Sequence, residues 1–300
     1  MPSIAGDTER MASPQVRITM LGGFDVRIDG VAVPSRAWRL NKARSLLRLL
    51  ALAEGNSLHR DAVVEALWPK LEAAAAHNNL HQALHAARRA LAVAGAPADV
   101  LRLRDGVVTL CPDGGLETDL DDLEAAVDKA IAAGDPELLL EVAMRCSAGL
   151  SPEDRYEGWA RPYQDHIADL RRTAVLAAVP PLLMQGSAYE AGRALELIAK
   201  ANPTDEEVHR ALMAAYDAAG RRWDAVAVYE SLRSRLEEEY AAAPDAETTT
   251  LYRRLSSGQV DSRSDVQVHL LSPATRFVGR HREIDELVRA VALRRDTVER

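Results

Sequence analysis

The residues best equipped for chemistry lie close together in HNNLHQALHAARRAL, residues 77–91. At ~100° per residue of a helix, Leu80, Ala83, Leu84, Ala87 and Leu91 share one side. Asn78, Gln82, His85 and Arg89 fall on the other at steps of four, three and four, flanked by Asn79, His81 and Arg88. Asn and Gln side chains pair bidentately with adenine edges, and Arg with guanine O6 and N7. The same donors also hold phosphate, which positions a helix without reading sequence. The stretch contains no acid, so nothing in it repels a polyanion. A plainer alternative stays open: Asn78 and Asn79 as capping residues and the histidines as solvated surface.

Two lesser sets point the same way. Arg102 and Arg104 alternate with Leu101 and Leu103, which places both on one face near a hairpin tip, where they would meet phosphate or a minor groove. An ordinary exposed strand face would look the same. Arg36, Arg39, Lys42 and Arg44 surround the start of a helix. Cations there oppose the macrodipole, and an outside anion would offset that cost. Lys42 and Arg44 are the phosphate candidates, with solvated surface as the alternative.

Other chemistries find little support. No Ser/His/Asp ordering or glycine cradle stands out, and His81 and His85, four residues apart, lack the glutamate of an HExxH zinc site. No catalysis, cofactor or metal is expected. Cys111 and Cys146 form no CxxC pair and read as reduced thiols. No secretory signal opens the chain and no apolar run is long enough for a membrane span, so a cytoplasmic protein without membrane contact is expected. The formal net charge of −8 divides into about +4 over residues 1–112 and about −12 over the rest. A basic front joined to an acidic rear suits a polyanion-facing module with a separate partner module.

The elements that must carry these residues follow from hydrophobic period. VRITML (16–21), FDVRID (24–29) and VAV (31–33) alternate between Gly and Pro stops, which predicts a small antiparallel sheet. Helices are predicted over 37–53, from a Ser57 cap to Pro69, and over the quoted stretch as far as Gly95-Ala96-Pro97. LRLRDGVVTL (101–110) reads as a hairpin turning at Asp105-Gly106. From Thr118 onward only amphipathic helices are predicted, and there an internal repeat emerges. Gly186, Tyr189, Ala191, Leu195 and Ile198 recur 34 residues later as Gly220, Trp223, Ala225, Tyr229 and Leu232. That is the period of tetratricopeptide helix pairs. Met213 stands where a small residue is usual, which predicts looser or different packing at that point.

The order of parts resembles the SARP/AfsR-type transcriptional activators: an OmpR-type winged helix-turn-helix followed by a bacterial transcriptional activation domain. The carrying stretches are WRLNKARSLLRLLAL (38–52), HRDAVVEALWP (59–69), NNLHQALHAARRAL (78–91), LSPEDRYEGWA (150–160) and TDEEVHRALMAAYDAAGRRWDAVAVYESL (204–232). The resemblance implies a mainly α chain, with an α+β winged helix-turn-helix ahead of an all-α, tetratricopeptide-like repeat domain. Its expected parts are a disordered tail (1–15), the DNA-binding domain (16–112), the activation domain (117–256), a linker (257–272) and the start of an incomplete ATPase domain (273–300). RFVGRHREIDEL (276–287) looks like the entry to the ATPase of larger members, although no GxxxxGK[ST] loop is present. In the OmpR-type fold the stretch corresponding to KLEAAAAH (70–77) contacts RNA polymerase, which is carried over as an implication only.

The expectation is a sequence-specific, double-stranded-DNA-binding activator that self-associates and reads the major groove with 77–91, while 101–110 touches backbone or minor groove. The competing reading is a helical-repeat interaction scaffold of a signalling ATPase without direct DNA readout.

Overall fold

In the computed structural model, the structure describes residues 14–257, arranged as two compact units. The first comprises residues up to 122 together with 149–165, and the second 123–148 and 166 onward. The expected linker beyond Ser257 and the ATPase entry at 273–300 lie outside the described residues, as does the tail apart from residues 14 and 15.

The first unit opens with β1 (Val16–Thr19), β2 (Asp25–Ile28) and β3 (Val31–Ala32). Strict alternation places Val16, Ile18, Val26 and Ile28 inward, and antiparallel pairing sets Val16 opposite Ile28 and Ile18 opposite Val26. The sheet has a fourth strand that the pattern did not reveal. β7 (Leu116–Thr118) runs parallel to β1, in the order β3-β2-β1-β7. Three residues between Gly115 and a helix start are too few for a period-two signal, and their pairing partner is about a hundred residues away.

Helix α1 (Asn41–Leu52) begins later than predicted. Pro34 instead opens a separate 3-10 turn, Ser35–Ala37, and the chain then extends through Leu40. Trp38 packs edge-on against Phe24, with ring centroids 5.3 Å apart, which anchors this break. The predicted Ser57 cap is also displaced, because Ser57–His59 forms strand β4. The cap of α2 (Arg60–Leu67) is His59, whose Nδ1 accepts from the Asp61 amide.

Helix α3 (Ala73–Val93) takes in the alanine tract as its first turn, so only a short connection after Trp68 separates it from α2. Its predicted stripe of Leu80, Ala83, Leu84, Ala87 and Leu91 is buried. The hairpin β5 (Leu101–Arg104) and β6 (Val107–Leu110) follows, with β4 on the far side of β6. Asp105 and Gly106 both adopt positive φ, as a tight two-residue turn requires. A Cβ on Gly106 would fall 2.8 Å from His59 Nε2, so the turn and the α2 cap fit together only with glycine there. Three helices followed by a hairpin make the winged arrangement that the resemblance implied.

The second unit is helical: α4 (Asp119–Ala133), which starts within the first unit, then α5 (Pro136–Cys146), α6 (Arg161–Met184), α7 (Ala188–Ala201), α8 (Glu206–Ala218), α9 (Arg222–Tyr240) and α10 (Ala246–Ser256). Equivalent repeat positions occupy equivalent environments. Gly186 and Gly220 have positive φ at the turns before α7 and α9. Ala191 and Ala225, Leu195 and Tyr229, and Ile198 and Leu232 are buried pairwise. Met213 is wholly buried, so the stack absorbs the larger side chain. Arg172 bridges Asp205 (2.5 Å) and Glu207 (2.6 Å), fastening the start of α8 to α6. Cys111 and Cys146 are free and buried, and burial pushes their thiols up to about 12 and about 11, which leaves them unreactive at neutral pH.

Candidate nucleic-acid interface

The outward face of α3 is built by its inward one. Because the leucines and alanines are buried at helical spacing, Asn78, His81, Gln82, His85 and Arg89 are necessarily turned out, and all five are exposed. Asn79 is half-buried at the edge of the stripe. Among the described residues, none of these side chains is held by an ion pair or a side-chain hydrogen bond. Amides, imidazoles and a guanidinium therefore stand with their donors and acceptors available.

Two members of the quoted stretch behave differently. Arg88 is half-buried, and its Nε donates to the Leu101 carbonyl at 2.8 Å, tying α3 to the first strand of the hairpin. Its Nε is thus engaged within the fold, while no partner is seen for its two Nη groups among the described residues. His77, one turn before the exposed set, directs Nε2 to Asp61 Oδ1 (2.9 Å) and Nδ1 to the Ala73 carbonyl (2.7 Å). Both ring nitrogens face acceptors, a geometry that only imidazolium satisfies with two donated protons. The hydrogen bond that His77 donates to Asp61, reinforced by the one to the Ala73 carbonyl, raises the His77 pKa above its ordinary value, and the same bond lowers that of Asp61.

The cations around α1 form the sharpest departure from expectation. Lys42 Nζ lies 2.8 Å from Glu157, and Arg44 lies 2.7 Å from Glu153. Arg48, which the sequence reading passed over as a core position, is almost fully buried and paired with the equally buried Asp154. Ser45 Oγ and Glu153 lie beside it at 3.4 and 3.3 Å. The Arg44 and Arg48 guanidiniums also sit over the Phe24 ring, 5.2 and 4.7 Å from its centroid. The anion expected from outside is thus supplied from within, by PEDRYE of the 150–160 segment. That segment is fixed to the first unit by a bridge between Leu21 and Leu150 and by the Gly22 amide donating to Gly149. Lys42 and Arg44 are not open phosphate ligands.

Arg36 and Arg39 were named in the sequence only as neighbours of this set, yet they differ from it. Both are exposed, and no ion pair or side-chain hydrogen bond holds either among the described residues. Arg36 on the 3-10 turn and Arg39 on the extended stretch after it line a concavity of about 770 Å³ together with His81, Gln82, His85 and Arg89 of α3. Its lining includes no acid. The signal that could have singled them out was Pro34, which opens a short turn of its own ahead of the helix.

On the hairpin, Arg104 is 78% exposed, and among the described residues its ion-pair partner is the adjacent Asp105 at 3.5 Å. Arg102 is partly covered and lies 3.5 and 3.7 Å from Asp99 and Asp113. Among the described residues no group of three His, Cys, Asp or Glu side chains is placed to hold a metal ion. No described helix is long and apolar enough to cross a membrane.

Residues 118–256 match the family model described as bacterial transcriptional activator domain. The transcriptional regulatory protein MoaR1 of Mycobacterium tuberculosis is 24% identical over 257 residues, covering 80% of this chain and 79% of its own. MoaR1 of Mycobacterium bovis matches to the same extent. Among solved structures, Mycobacterium tuberculosis EmbR in complex with a low affinity phosphopeptide superposes with a TM-score of 0.65 at 21% identity, over 95% of this chain and 72% of that one. That likeness establishes the fold, a small β-containing winged front followed by a helical repeat domain. Residues 118–256 thus resemble the bacterial transcriptional activator domain, in a chain similar over most of its length to transcriptional regulatory proteins.

Proposed function

We propose that the protein is a cytoplasmic, non-enzymatic, sequence-specific DNA-binding regulator of transcription, of the SARP/AfsR type and acting as an activator. Helix α3 enters the major groove with Asn78, His81, Gln82, His85 and Arg89 toward the bases, and Asn79 at the edge of the contact. The β5–β6 wing brings Arg104, with Arg102 behind it, to backbone or minor groove. One observation carries this reading: a stripe of base-pairing side chains stands exposed and unpartnered on a helix whose opposite face is buried. A merely solvated helix has no need of that residue set, whereas a groove with mixed donor and acceptor edges does.

The activator domain then serves assembly with RNA polymerase or with a second copy. The segment at 273–300 would join the chain to an ATPase in a longer product. The scaffold alternative draws on exposed aromatic residues at equivalent repeat positions, Tyr189 and Trp223, the latter 85% exposed.

The test is binding-site selection on the purified chain at two salt concentrations, followed by Gln82→Ala with Arg89→Ala. Each bidentate base contact is worth about 1–3 kcal/mol of discrimination. The double variant is therefore expected to lose at least tenfold in preference for the selected site while keeping its weak affinity for unrelated duplex. Unchanged selectivity would remove α3 as the reader. A wild-type chain that retains a protein partner and no DNA at low salt would favour the scaffold.

A further inference from the structure

We propose that Arg36 and Arg39 form a clamp for the sugar-phosphate backbone that borders the stretch of groove read by α3. The inference rests on the DNA-binding reading above and adds a ligand class for the concavity between the 34–40 segment and the edge of α3. The first ground is electrostatic. A concavity of about 770 Å³ lined by three arginines and two histidines, with no carboxylate, is a basic pocket in a chain of net charge −8. Arg36, Arg39 and Arg89 line it without a carboxylate partner among the described residues, and an anion placed among their guanidiniums lowers their mutual repulsion.

The second ground is the contrast with the neighbouring cations. Six residues after Arg36, the chain begins a series, Lys42, Arg44 and Arg48, in which every member has an internal carboxylate. The fold had acids available close by and did not aim them at Arg36, Arg39 or Arg89.

Placement supplies the third ground. The 34–40 segment is fixed by Pro34 and by the Trp38–Phe24 contact, so its arginines are presented on a firm support. Arg89, His85 and Gln82 belong both to the concavity and to the outward face of α3. A duplex lying along that face brings a strand past the turn. Leu40 and Val93, both exposed on the rim, offer apolar contact to a deoxyribose, which a small inorganic anion does not use.

The test compares the full chain with Arg36→Gln/Arg39→Gln in duplex binding across a salt series, on both the selected site and an unrelated sequence. Each phosphate contact contributes about 0.9 to the slope of log K against log salt. The double variant is expected to lower that slope by about 2 and to weaken both duplexes by the same factor, leaving site ranking intact. Arg36→Lys/Arg39→Lys should retain most of the slope, because the term depends on charge.

An unchanged slope, or a loss confined to the selected site, overturns the clamp. Competition by pyrophosphate or polyglutamate equal to that by duplex, at matched ionic strength, overturns it too by making the pocket a general anion site. A wild-type chain that binds no duplex fails the underlying reading, whereas wild-type binding with an indistinguishable double variant fails the clamp alone. Both positions are exposed, so thermal unfolding of the variants is expected to match wild type.

Discussion

Two neighbouring groups of cations in the first unit share a composition and have opposite fates. Lys42, Arg44 and Arg48 on α1 are matched one by one to Glu157, Glu153 and Asp154. Arg36 and Arg39 on the preceding 34–40 segment, with Arg89 on α3, have no such partners among the described residues. Sequence presents both groups as one basic patch around a helix start. The structure divides them into a set paired within the fold and a set without carboxylate partners among the described residues. A basic residue acquires function by what the rest of the chain declines to place beside it.

The most forceful way to break this comparison is to attack its internal half. Arg48 and Asp154 are each 1% exposed. Removing one partner of a buried pair strands the other charge, at a cost of about 3–5 kcal/mol. Asp154→Ala is expected near the lower end, since Glu153 remains beside Arg48. Replacing the pair together, Arg48→Met with Asp154→Leu, should recover most of that loss, because no charge is then left unpaired. Urea unfolding of the full chain measures both. A cost below about 1 kcal/mol for Asp154→Ala would mean that the 150–160 segment is not fastened by this pair. The comparison would then reduce to exposed surface charge on both sides.

The same segment marks the limit of what the sequence could tell. The helical stripes of α1 and α3, the 101–110 hairpin and the 34-residue repeat were legible because each depends on local period, and burial follows those periods closely. The outward face of α3 was legible for the same reason, being the complement of its stripe. The destination of LSPEDRYEGWA was not legible. Its contacts to α1 span more than a hundred residues and consist of charge pairs, which have no period. Arg48 was invisible as a buried cation because it sits on an otherwise apolar helix face. The bonds of Arg88 and His77 were not legible for a related reason: each engages an atom, the Leu101 carbonyl or the Asp61 carboxylate, that only tertiary structure brings near.

A smaller effect sharpens the comparison from its other edge. Lys42→Ala removes a positive charge equal to that of Arg36 or Arg39, and from the adjoining stretch of chain. Its pair with Glu157 is about one-third exposed on both sides, so solvent screens it and the expected cost is about 0.5 kcal/mol. The salt slope of duplex binding should be unchanged, in contrast to the drop of about 2 expected for Arg36 and Arg39 together. A slope reduced by about 1 in Lys42→Ala would show that Lys42 leaves Glu157 for phosphate, and that the two groups of cations are not distinct.

The smallest expected effect concerns the histidines of α3, which repeat the same division at the scale of one helix. His77 is paired and His81 and His85 are not, among the described residues. His77 gains its raised pKa from Asp61 first and the Ala73 carbonyl second, with His59 and Arg60 as the other charged groups beside Asp61. Because the folded-state pKa is raised, the link between α2 and α3 is fully present below the ordinary histidine value of about 6.5 and is lost as pH rises through the raised one. An imidazole titration followed by NMR should therefore place the His77 midpoint above 6.5, and Asp61→Asn should bring it down. A His77 midpoint that ignores Asp61→Asn would mean that the ring is held by helix backbone alone. The first turn of α3 would then belong with its exposed face, not with the core that positions it.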